Sequence, residues 1–347
     1  MVTMGTEKQS ILIIYTGGTI GMREDPMTHT LSPMNFEMLQ VEIPELHKLG
    51  FHIESVTFNP PIDSANMTPA IWIELATTIK ANYSRYDGFV ILHGTDTMAY
   101  TASALSYMLE NLDKPVIMTG SQLPIGILRT DGKENIITAI QIAAAQKDGK
   151  AIVPEVCIYF SSHLFRGNRT TKEDSQQFAA FMSHHYPKLA VAGVDIKYNY
   201  EKINYSGSKG ILSINTSIDD NVIVLKIFPG INRRYFEAIL ALPGLKGIIL
   251  ESYGSGNMPT FPWIFEAIRE ATLAGVVFMN VSQCPGGRVK MGYYETSREL
   301  QEAGVVSGKD ITVEAAVTKM MFLLGQQLSV SEVKAYLSQN LSGELEN

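Results

Sequence analysis

Short apolar runs alternate with longer amphipathic stretches through the first 160 residues of the chain. The runs predict strands at 11–15, 51–58, 86–92, 115–118 and 155–160. Apolar residues at helical spacing predict helices beginning at Thr68-Pro69, over 98–110 and over 134–146. Because strands interleaved with helices form parallel sheets joined by right-handed crossovers, this part of the chain is predicted to be an α/β domain.

The alternation fades between about residues 188 and 221 and then resumes. Residues 198–210 are polar and glycine-rich, so we interpret 198–220 as a linker that could hold a short strand. Beyond it, strands are predicted at 222–228, 247–250 and 276–280, and helices at 233–240, 262–273, 312–324 and 331–337. The sequence therefore predicts a parallel-sheet N-terminal α/β domain over 1–197 and a smaller, flavodoxin-like α/β domain over 221–347.

The composition is that of an ordinary globular protein of about two domains. The chain has 347 residues, 45% hydrophobic and 18% charged, with a formal net charge of −7. An acidic chain lacks the basic surface that phosphate backbones require, so nucleic acid is not an expected partner. The two cysteines, Cys157 and Cys284, do not define a disulfide framework. The polar first ten residues and the lack of an apolar stretch near ~20 residues predict a cytoplasmic protein without a membrane span.

The turn at 16–21, Thr-Gly-Gly-Thr-Ile-Gly, follows the first buried strand and admits several interpretations. A phosphate cradle would need a Lys-Ser/Thr ending, which is missing, and the glycine spacing matches a dinucleotide fingerprint only loosely. Thr16 or Thr19 could be a nucleophile presented at the carboxyl end of a strand. The turn could equally be structural, with threonine hydroxyls bonded to nearby backbone groups.

Three further polar clusters lie after strands or in loops that could converge on this turn. They are Asp63-Ser64-Ala65-Asn66, Thr95-Asp96 and the segment 166–172, which ends in Lys172. Alone, each has a structural interpretation as a turn, a helix cap or a solvated charge. Together they supply a hydroxyl, a lysine that can take its proton when neutral, an aspartate and backbone N–H groups. This set fits acyl transfer from an amide or ester.

Metal chemistry has little support in the sequence. The seven histidines show no His-Glu-x-x-His pattern, and no Cys-x-x-Cys occurs. His93 ends a buried strand, and we interpret it as a hydrogen-bonded core histidine and not as a base. Ser121 lacks the Gly-x-Ser-x-Gly setting of a hydrolase nucleophile.

Two of these segments, Thr16-Gly-Gly-Thr-Ile-Gly21 and His93-Gly-Thr-Asp-Thr97, together resemble the paired signatures of the bacterial-type L-asparaginase family. The resemblance covers nearly the whole chain and extends to 63–64, 119–124, 166–172, 252–257 and 312–316. It looks closest to the cytoplasmic type I enzymes. The resemblance implies hydrolysis of L-asparagine to L-aspartate and ammonia by double displacement through a threonine acyl-enzyme.

The resemblance also implies catalytic roles for four residues. Thr19, the second threonine of the turn, would be the nucleophile that forms the acyl-enzyme. Thr95, Asp96 and Lys172 would form a second catalytic cluster, in which Lys172 activates a hydroxyl or a water. Asp96 would in addition hold the α-ammonium group of the substrate.

Three more residues would bind substrate according to the same resemblance. Asp63 and Ser64 lie together, and Ser64 would bind the α-carboxylate. Asn257, from the second domain, would reach the site across a subunit interface. A homodimer or a dimer of dimers is therefore implied, and no cofactor or metal is expected.

The chain departs from the family pattern at two places. Members usually carry a tyrosine on the loop after the nucleophile, but 21–35 contains none, and only His29 or Thr30 falls near the expected position. Some cytoplasmic members have a regulatory asparagine site with an arginine two residues before the Tyr-Gly turn. This chain has Glu251 there, which would repel a carboxylate, so weak or absent cooperativity is predicted.

Alternative functions stay open at this stage. The amide-hydrolysing subunit of a tRNA-dependent amidotransferase shares these motifs but usually has an extra N-terminal domain. Since the nucleophile strand begins at Ile11, we expect no room for that domain. An amino-acid-binding sensor that has lost catalysis is another alternative. Glutamine also remains a possible substrate, because one methylene gives only ~1–3 kcal/mol of discrimination.

Overall fold

The computed structural model describes residues 8–24, 31–33, 36–205, 210–292 and 295–346. The chain forms two compact units, Met1–Asn215 and Thr216–Asn347, which we call the N-terminal unit and the C-terminal unit. Each unit combines strands with helices, which confirms the predicted α/β class. Among the helices within these ranges, none is both long and apolar enough to cross a membrane.

A mixed sheet, eight-stranded in the described residues, forms the centre of the N-terminal unit. The strands of this unit are β1 (Ser10–Tyr15), β2 (Met22–Glu24), β3 (Leu31–Pro33), β4 (His52–Thr57), β5 (Gly88–Leu92), β6 (Leu109–Glu110), β7 (Val116–Thr119), β8 (Gln146–Lys147), β9 (Lys150–Ala151), β10 (Val156–Phe160), β11 (His163–Arg166), β12 (Thr171–Lys172), β13 (Phe181–Met182), β14 (Ala190–Ala192), β15 (Ile196–Tyr198) and β16 (Ser213–Ile214). The α-helices are α1 (Phe36–Glu42), α2 (Pro69–Asn82), α3 (Met98–Met108) and α4 (Gly132–Ala144). Short 3₁₀ helices lie at Thr19–Gly21, Pro44–Lys48, Ser64–Asn66 and Gly167–Arg169.

The strand order in the main sheet is β15-β14-β11-β10-β7-β5-β1-β4. From β10 to β4 neighbouring strands are parallel, as the alternating pattern predicts. β11, β14 and β15 continue the sheet in antiparallel fashion, which the sequence analysis did not predict. These strands are three or four residues long, and only Ala190 is fully buried in β14 and β15, so they carry too little apolar pattern to be recognised.

β1 is a central strand, and its position explains its composition. It pairs with β4 on one side and β5 on the other, and its residues from Ile11 to Tyr15 are all buried. Ile136 and Ile140 of α4 belong to the same apolar cluster as Ile11 and Ile13. A strand enclosed in this way needs apolar residues on both faces, which is why it appears as a continuous hydrophobic run.

The C-terminal unit is built on a smaller, fully parallel sheet. Its strands are β17 (Val222–Lys226), β18 (Gly247–Ser252), β19 (Val277–Ser282) and β20 (Val306–Ser307), in that order across the sheet. Its helices are α5 (Arg233–Leu240), α6 (Pro262–Leu273), α7 (Glu295–Glu302), α8 (Val313–Leu324) and α9 (Val330–Leu337). α8 begins where the sequence suggests, because the Thr312 hydroxyl accepts a hydrogen bond from the Ala315 N–H at 3.2 Å.

The segment interpreted as a linker, 198–220, contains the last residue of β15 and the short strand β16, which pairs with β6. Residues 206–209 of this segment lie outside the described residues. The domain boundaries at 197 and 221 remain a prediction.

Candidate active site

The candidate residues of the N-terminal unit follow neighbouring parallel strands. β4, β1, β5 and β7 are consecutive in the sheet and end at the same edge. Asp63-Ser64 follows β4, the glycine turn follows β1, Thr95-Asp96 follows β5, and Gln122 follows β7. Loops at the carboxyl edge of a parallel sheet are the usual place for a ligand site in α/β proteins.

The turn after β1 depends on two glycines with positive φ. Gly17 has φ 134° and Gly18 has φ 88°, values that side chains rarely tolerate. A Cβ on Gly17 would lie 2.2 Å from the Ile62 carbonyl oxygen, and one on Gly18 would lie 2.4 Å from the Gly94 amide nitrogen. The turn therefore packs directly against the two neighbouring loops.

The two threonines of this turn differ in environment. Thr16 is fully buried, and both its N–H and its hydroxyl donate to the Leu92 carbonyl oxygen at 3.0 Å. Thr19 is half-buried and begins the 3₁₀ helix Thr19–Gly21. Thr16 thus matches the structural interpretation of the turn, whereas Thr19 is partly open to solvent.

Gly94 lies at the meeting point of three of these loops. It contacts Gly18, and a Cβ added to it would lie 2.5 Å from the Ser64 Oγ. Ser64 is 3% exposed, and its carbonyl oxygen accepts a 2.7 Å hydrogen bond from the Thr97 hydroxyl. Since Thr19 follows Gly18 and Thr95 follows Gly94, the structure brings the loops of Thr19, Ser64 and Thr95 together.

Lys172 joins the hydroxyl and the carboxylate of the loop after β5. Its Nζ lies 2.7 Å from the Thr95 Oγ1 and 2.7 Å from the Asp96 Oδ1. The lysine side chain is 16% exposed, whereas that of Asp96 is 65% exposed. Lys172 lies on β12, which pairs with β13 in a short hairpin. The structure therefore brings these three predicted residues into direct contact and leaves the aspartate open to solvent.

His93 is a hydrogen-bonded core histidine, as expected. It is fully buried, with Nδ1 2.6 Å from the Gly94 carbonyl oxygen and Nε2 3.0 Å from the Thr101 Oγ1. The Trp72 indole N–H donates to the same Thr101 hydroxyl at 3.1 Å. Burial lowers the pKa of His93 to about 4, which keeps the ring neutral. With a carbonyl on one side, the neutral ring donates from Nδ1 and accepts at Nε2.

Gln122 is a site residue that the sequence reasoning did not single out. Its Oε1 lies 3.4 Å from the Thr95 Oγ1, and its Nε2 donates to the Gln177 carbonyl oxygen at 3.1 Å. The Asp131 carboxylate accepts from the N–H groups of Gln122 and Leu123 at 3.0–3.2 Å and so holds the loop. The segment 119–124 enters the sequence analysis only through the family resemblance, because a lone glutamine carries no pattern of its own.

Family models cover both units of the chain. Residues 10–204 match the model of the asparaginase N-terminal domain, and residues 221–337 match that of the glutaminase/asparaginase C-terminal domain. The chain belongs to the asparaginase family. The resemblance inferred from its motifs is therefore confirmed, and the chain is an amidohydrolase of that family.

Known asparaginases and a differently named relative match this chain along its length. L-asparaginase 1 of Escherichia coli is 43% identical over 98% of both chains. The crystal structure of L-asparaginase I from Vibrio cholerae has a TM-score of 0.90 at 41% identity, covering 98% of this chain and all of that one. A mouse protein named 60 kDa lysophospholipase is 39% identical over 99% of this chain, which spans 63% of that protein.

The remaining predicted residues of this asparaginase-family chain have the following positions. Asp63 is exposed, and its carboxylate accepts from the Ala65 N–H at 3.0 Å, which caps the turn. Asn257 lies after β18, where its backbone exchanges 2.8 and 2.9 Å hydrogen bonds with Tyr253. Glu251 lies on β18 with its carboxylate 4.0 Å from the Lys226 Nζ. His29 and Thr30 lie outside the described residues.

The part of the chain that the structure describes contains no cluster of side chains that would bind a metal ion. Within those ranges no group of three or more His, Cys, Asp or Glu side chains is arranged to hold a metal ion. The polar groups that meet around Thr95 in these ranges include the Lys172 amine, the Asp96 carboxylate and the Gln122 amide, and such groups are suited to proton transfer and to binding a charged substrate.

Proposed function

We propose that this chain hydrolyses L-asparagine to L-aspartate and ammonia through an acyl-enzyme on Thr19. The observation that carries the proposal is the pair of 2.7 Å contacts from the Lys172 Nζ to Thr95 and Asp96. These contacts lie in the loop whose Gly94 packs against Gly18, the residue before Thr19. The names of the asparaginases reported above give independent support for this substrate.

The reaction takes place in two displacements. The Thr19 oxygen attacks the side-chain amide carbon, its proton passes to the amide nitrogen, and ammonia leaves as the acyl–oxygen bond remains. Water then attacks the ester carbon, and the proton that it loses restores the Thr19 hydroxyl. Lys172 acts as the base, directly or through Thr95, and backbone N–H groups of the glycine turns stabilise the oxyanion.

Substrate binding uses the charges that asparagine presents at neutral pH. The exposed carboxylate of Asp96 pairs with the α-ammonium group, and the Ser64 hydroxyl, which is buried beside Gly94, binds the α-carboxylate. Asp63 lies next to Ser64 and holds the turn by accepting the Ala65 N–H. This arrangement selects for an α-amino acid and leaves the side-chain amide as the reactive group.

Loss of the nucleophile is the first test. Thr19→Ala should lower kcat by about 10³-fold or more while the protein stays folded, because the covalent step is lost. Thr77→Ala is the matched control, since the Thr77 hydroxyl only bonds the Ile73 carbonyl oxygen within α2. Hydroxylamine added as a competing acceptor should trap the aspartyl group as a hydroxamate with the unmodified enzyme. Near-normal turnover of Thr19→Ala would remove Thr19 from this role.

Removal of the lysine tests the second cluster. Lys172→Met should be about as damaging to kcat as Thr19→Ala, because no other amine contacts Thr95 in the hydrogen bonds described above. Lys246→Met is its control, since that lysine forms a comparable 2.6 Å ion pair with Asp219 in the C-terminal unit. Retained activity in Lys172→Met, with normal ammonia release from asparagine, would exclude the lysine from the mechanism.

Glutamine hydrolysis is the second candidate function, favoured by the description of the C-terminal family model. Steady-state kinetics with asparagine and glutamine over a wide concentration range decide between the two. A single methylene is worth about 10–200-fold in kcat/KM, so a preference for asparagine within that range is expected. Failure to release ammonia from either amino acid would instead favour the sensor function.

We also propose that the active form is a homodimer or a dimer of dimers in which Asn257 enters the site of a neighbouring subunit. Mixing Thr19→Ala with Asn257→Ala under conditions that exchange subunits should then restore activity to about a quarter of that of the unmodified protein. Random exchange makes about half of the dimers mixed, and one of the two sites in each mixed dimer has both residues intact. Absence of any recovery in verified mixed dimers would contradict the shared site. Cell fractionation tests the proposed cytoplasmic location.

A further inference from the structure

Tyr15, the last residue of β1, contacts the far end of the turn that follows it. Its hydroxyl donates a 3.1 Å hydrogen bond to the Gly21 carbonyl oxygen. A Cβ added to Gly21 would lie 2.3 Å from the Tyr15 Cζ and 2.4 Å from its hydroxyl oxygen, so the ring lies directly against the glycine. Tyr15 is only 4% exposed. The Tyr15 hydroxyl is therefore bonded to a residue six positions further along the chain, at the end of the turn.

The side chain of Ile20 is buried in the core, but the backbone of the turn that Tyr15 contacts is only weakly closed. Thr19–Gly21 is a single turn of 3₁₀ helix, closed by a 3.3 Å hydrogen bond from the Gly21 N–H to the Gly18 carbonyl oxygen. Hydrogen-bond geometry in such short helices is poor. Two glycines precede the turn, and both have positive φ, so the backbone entering it has wide conformational freedom. A fixed contact at Gly21 restrains the exit of the turn.

The phenol remains a donor over the pH range in which the enzyme would work. Burial raises the pKa of Tyr15 to about 12, so the hydroxyl keeps its proton at neutral pH. The acceptor is a backbone carbonyl, which cannot donate, and the direction of the hydrogen bond is therefore fixed. Strand β1 itself is held between β4 and β5, which makes Tyr15 a rigid point of attachment.

We propose that Tyr15 is a positioning residue that orients the Thr19 hydroxyl through its hydrogen bond to the Gly21 carbonyl oxygen. The inference rests on the proposed function in one respect, namely that Thr19 is the nucleophile. Thr19 begins the one-turn helix and Gly21 ends it, so a rotation of the backbone at Gly21 also rotates the Thr19 hydroxyl. Misplacement of a reacting group by about 1 Å costs up to 10²-fold in rate. The phenol thus acts on the rate of acyl transfer and not on substrate affinity.

Tyr15→Phe tests this directly, because it removes one oxygen atom and keeps the packed ring. The expected result is a kcat lowered by about tenfold with a KM changed less than about twofold. Tyr86→Phe is the matched control. Tyr86 is similarly buried, at 3% exposed, and donates its hydroxyl to Glu54, but it precedes β5 and so lies at the amino-terminal end of the parallel strands. Both variants should lower the urea midpoint by similar amounts, and only Tyr15→Phe should lower kcat.

Gly21→Ala provides a second, independent variant. Its Cβ would press on the Tyr15 ring, so kcat should again fall by about tenfold. Because both changes act on one contact, the double variant Tyr15→Phe/Gly21→Ala should lose less than the product of the two single losses. A Tyr15→Phe enzyme with kcat within twofold of the unmodified enzyme, or equal losses in Tyr86→Phe, would overturn the inference. An active Thr19→Ala enzyme would instead overturn the proposed function, so the two failures are distinguishable.

Discussion

Replacing Glu344 with glutamine should strongly destabilise the C-terminal unit, because it breaks a fully buried ion pair. Glu344 and Lys319 of α8 are both 0% exposed, and the Glu344 Oε1 lies 2.5 Å from the Lys319 Nζ. The Lys319 Nζ also donates to the Leu337 carbonyl oxygen at 3.0 Å. The Glu344 carboxylate accepts the Leu341 N–H at 3.0 Å and the Ser342 N–H at 2.7 Å. The pair therefore fastens the end of the chain to α8.

The size of the loss in unfolding free energy follows from the Lys319 charge, which stays buried without its partner. Removing one partner of a buried pair typically costs about 3–5 kcal/mol, because the other charge stays desolvated. With an m-value of about 2 kcal/mol/M, the urea midpoint of this unit should fall by about 1.5–2.5 M. Burial lowers the pKa of Lys319 even with Glu344 present. In the variant, the lysine should lose its proton more readily in the folded than in the unfolded chain. The loss of stability should therefore shrink as pH rises towards the ordinary lysine pKa.

Fluorescence of Trp263 is a suitable assay, since the chain has two tryptophans and the other, Trp72, lies in the N-terminal unit. All variants are compared in a Trp72→Phe background, so that urea unfolding reports the C-terminal unit. The matched control is Glu346→Gln, two residues away. Glu346 is 54% exposed in its contact with Arg288 and should contribute less than about 1 kcal/mol. Equal midpoint shifts for the two variants would refute the reasoning.

Three further predictions concern the site and its regulation. Gly94→Ala should raise KM about tenfold, because the added Cβ would lie 2.5 Å from the Ser64 Oγ. Gly286→Ala is the control in the same kinetic assay and should leave KM unchanged, because no atom lies within 4 Å of its added Cβ. The lowered pKa of His93 means that only the unfolded chain takes up this proton between pH 6.5 and about 4. The free energy of unfolding should therefore fall over that window as the pH decreases. The urea midpoint of His93→Asn should fall less than that of the unmodified protein, and an equal fall in the two proteins would contradict the prediction. Rate curves with asparagine should be hyperbolic, since Glu251 would repel a regulatory carboxylate, and a sigmoidal curve that Glu251→Ala abolishes would show the opposite.

The sequence pattern predicts the parallel half of the main sheet because a strand enclosed on both sides must be apolar throughout. β1 and β5 are examples, with all residues from Ile11 to Tyr15 and from Gly88 to Leu92 buried. The short strands β14 and β15 escape prediction because each has three residues and, of these six residues, only Ala190 is buried. Hydrophobic periodicity thus predicts strands whose residues are buried, and it does not predict strands in which few residues are buried.

The candidate residues can be named from motifs, but their contacts cannot. Lys172 meets Thr95 across 77 residues of chain, a contact that depends on how the β12–β13 hairpin lies beside the loop after β5. Gln122 contacts Thr95 only because β7 is the neighbour of β5 in the sheet. Strand order decides which loops meet, and the alternating pattern of the sequence does not specify that order.

Glycine, more than any charged residue, sets the distance between the loops of the candidate site. A Cβ on Gly18 would lie 2.4 Å from the Gly94 amide nitrogen, and one on Gly94 would lie 2.5 Å from the Ser64 Oγ, whereas ordinary contact begins at 3.4 Å. Any side chain at these positions would therefore move a loop by about 1 Å, a displacement that costs up to 10²-fold in rate when it separates reacting groups. Threonine and lysine supply the chemistry, but only at the separation that the glycines allow. This is why the recognisable motifs of the chain combine glycine with threonine.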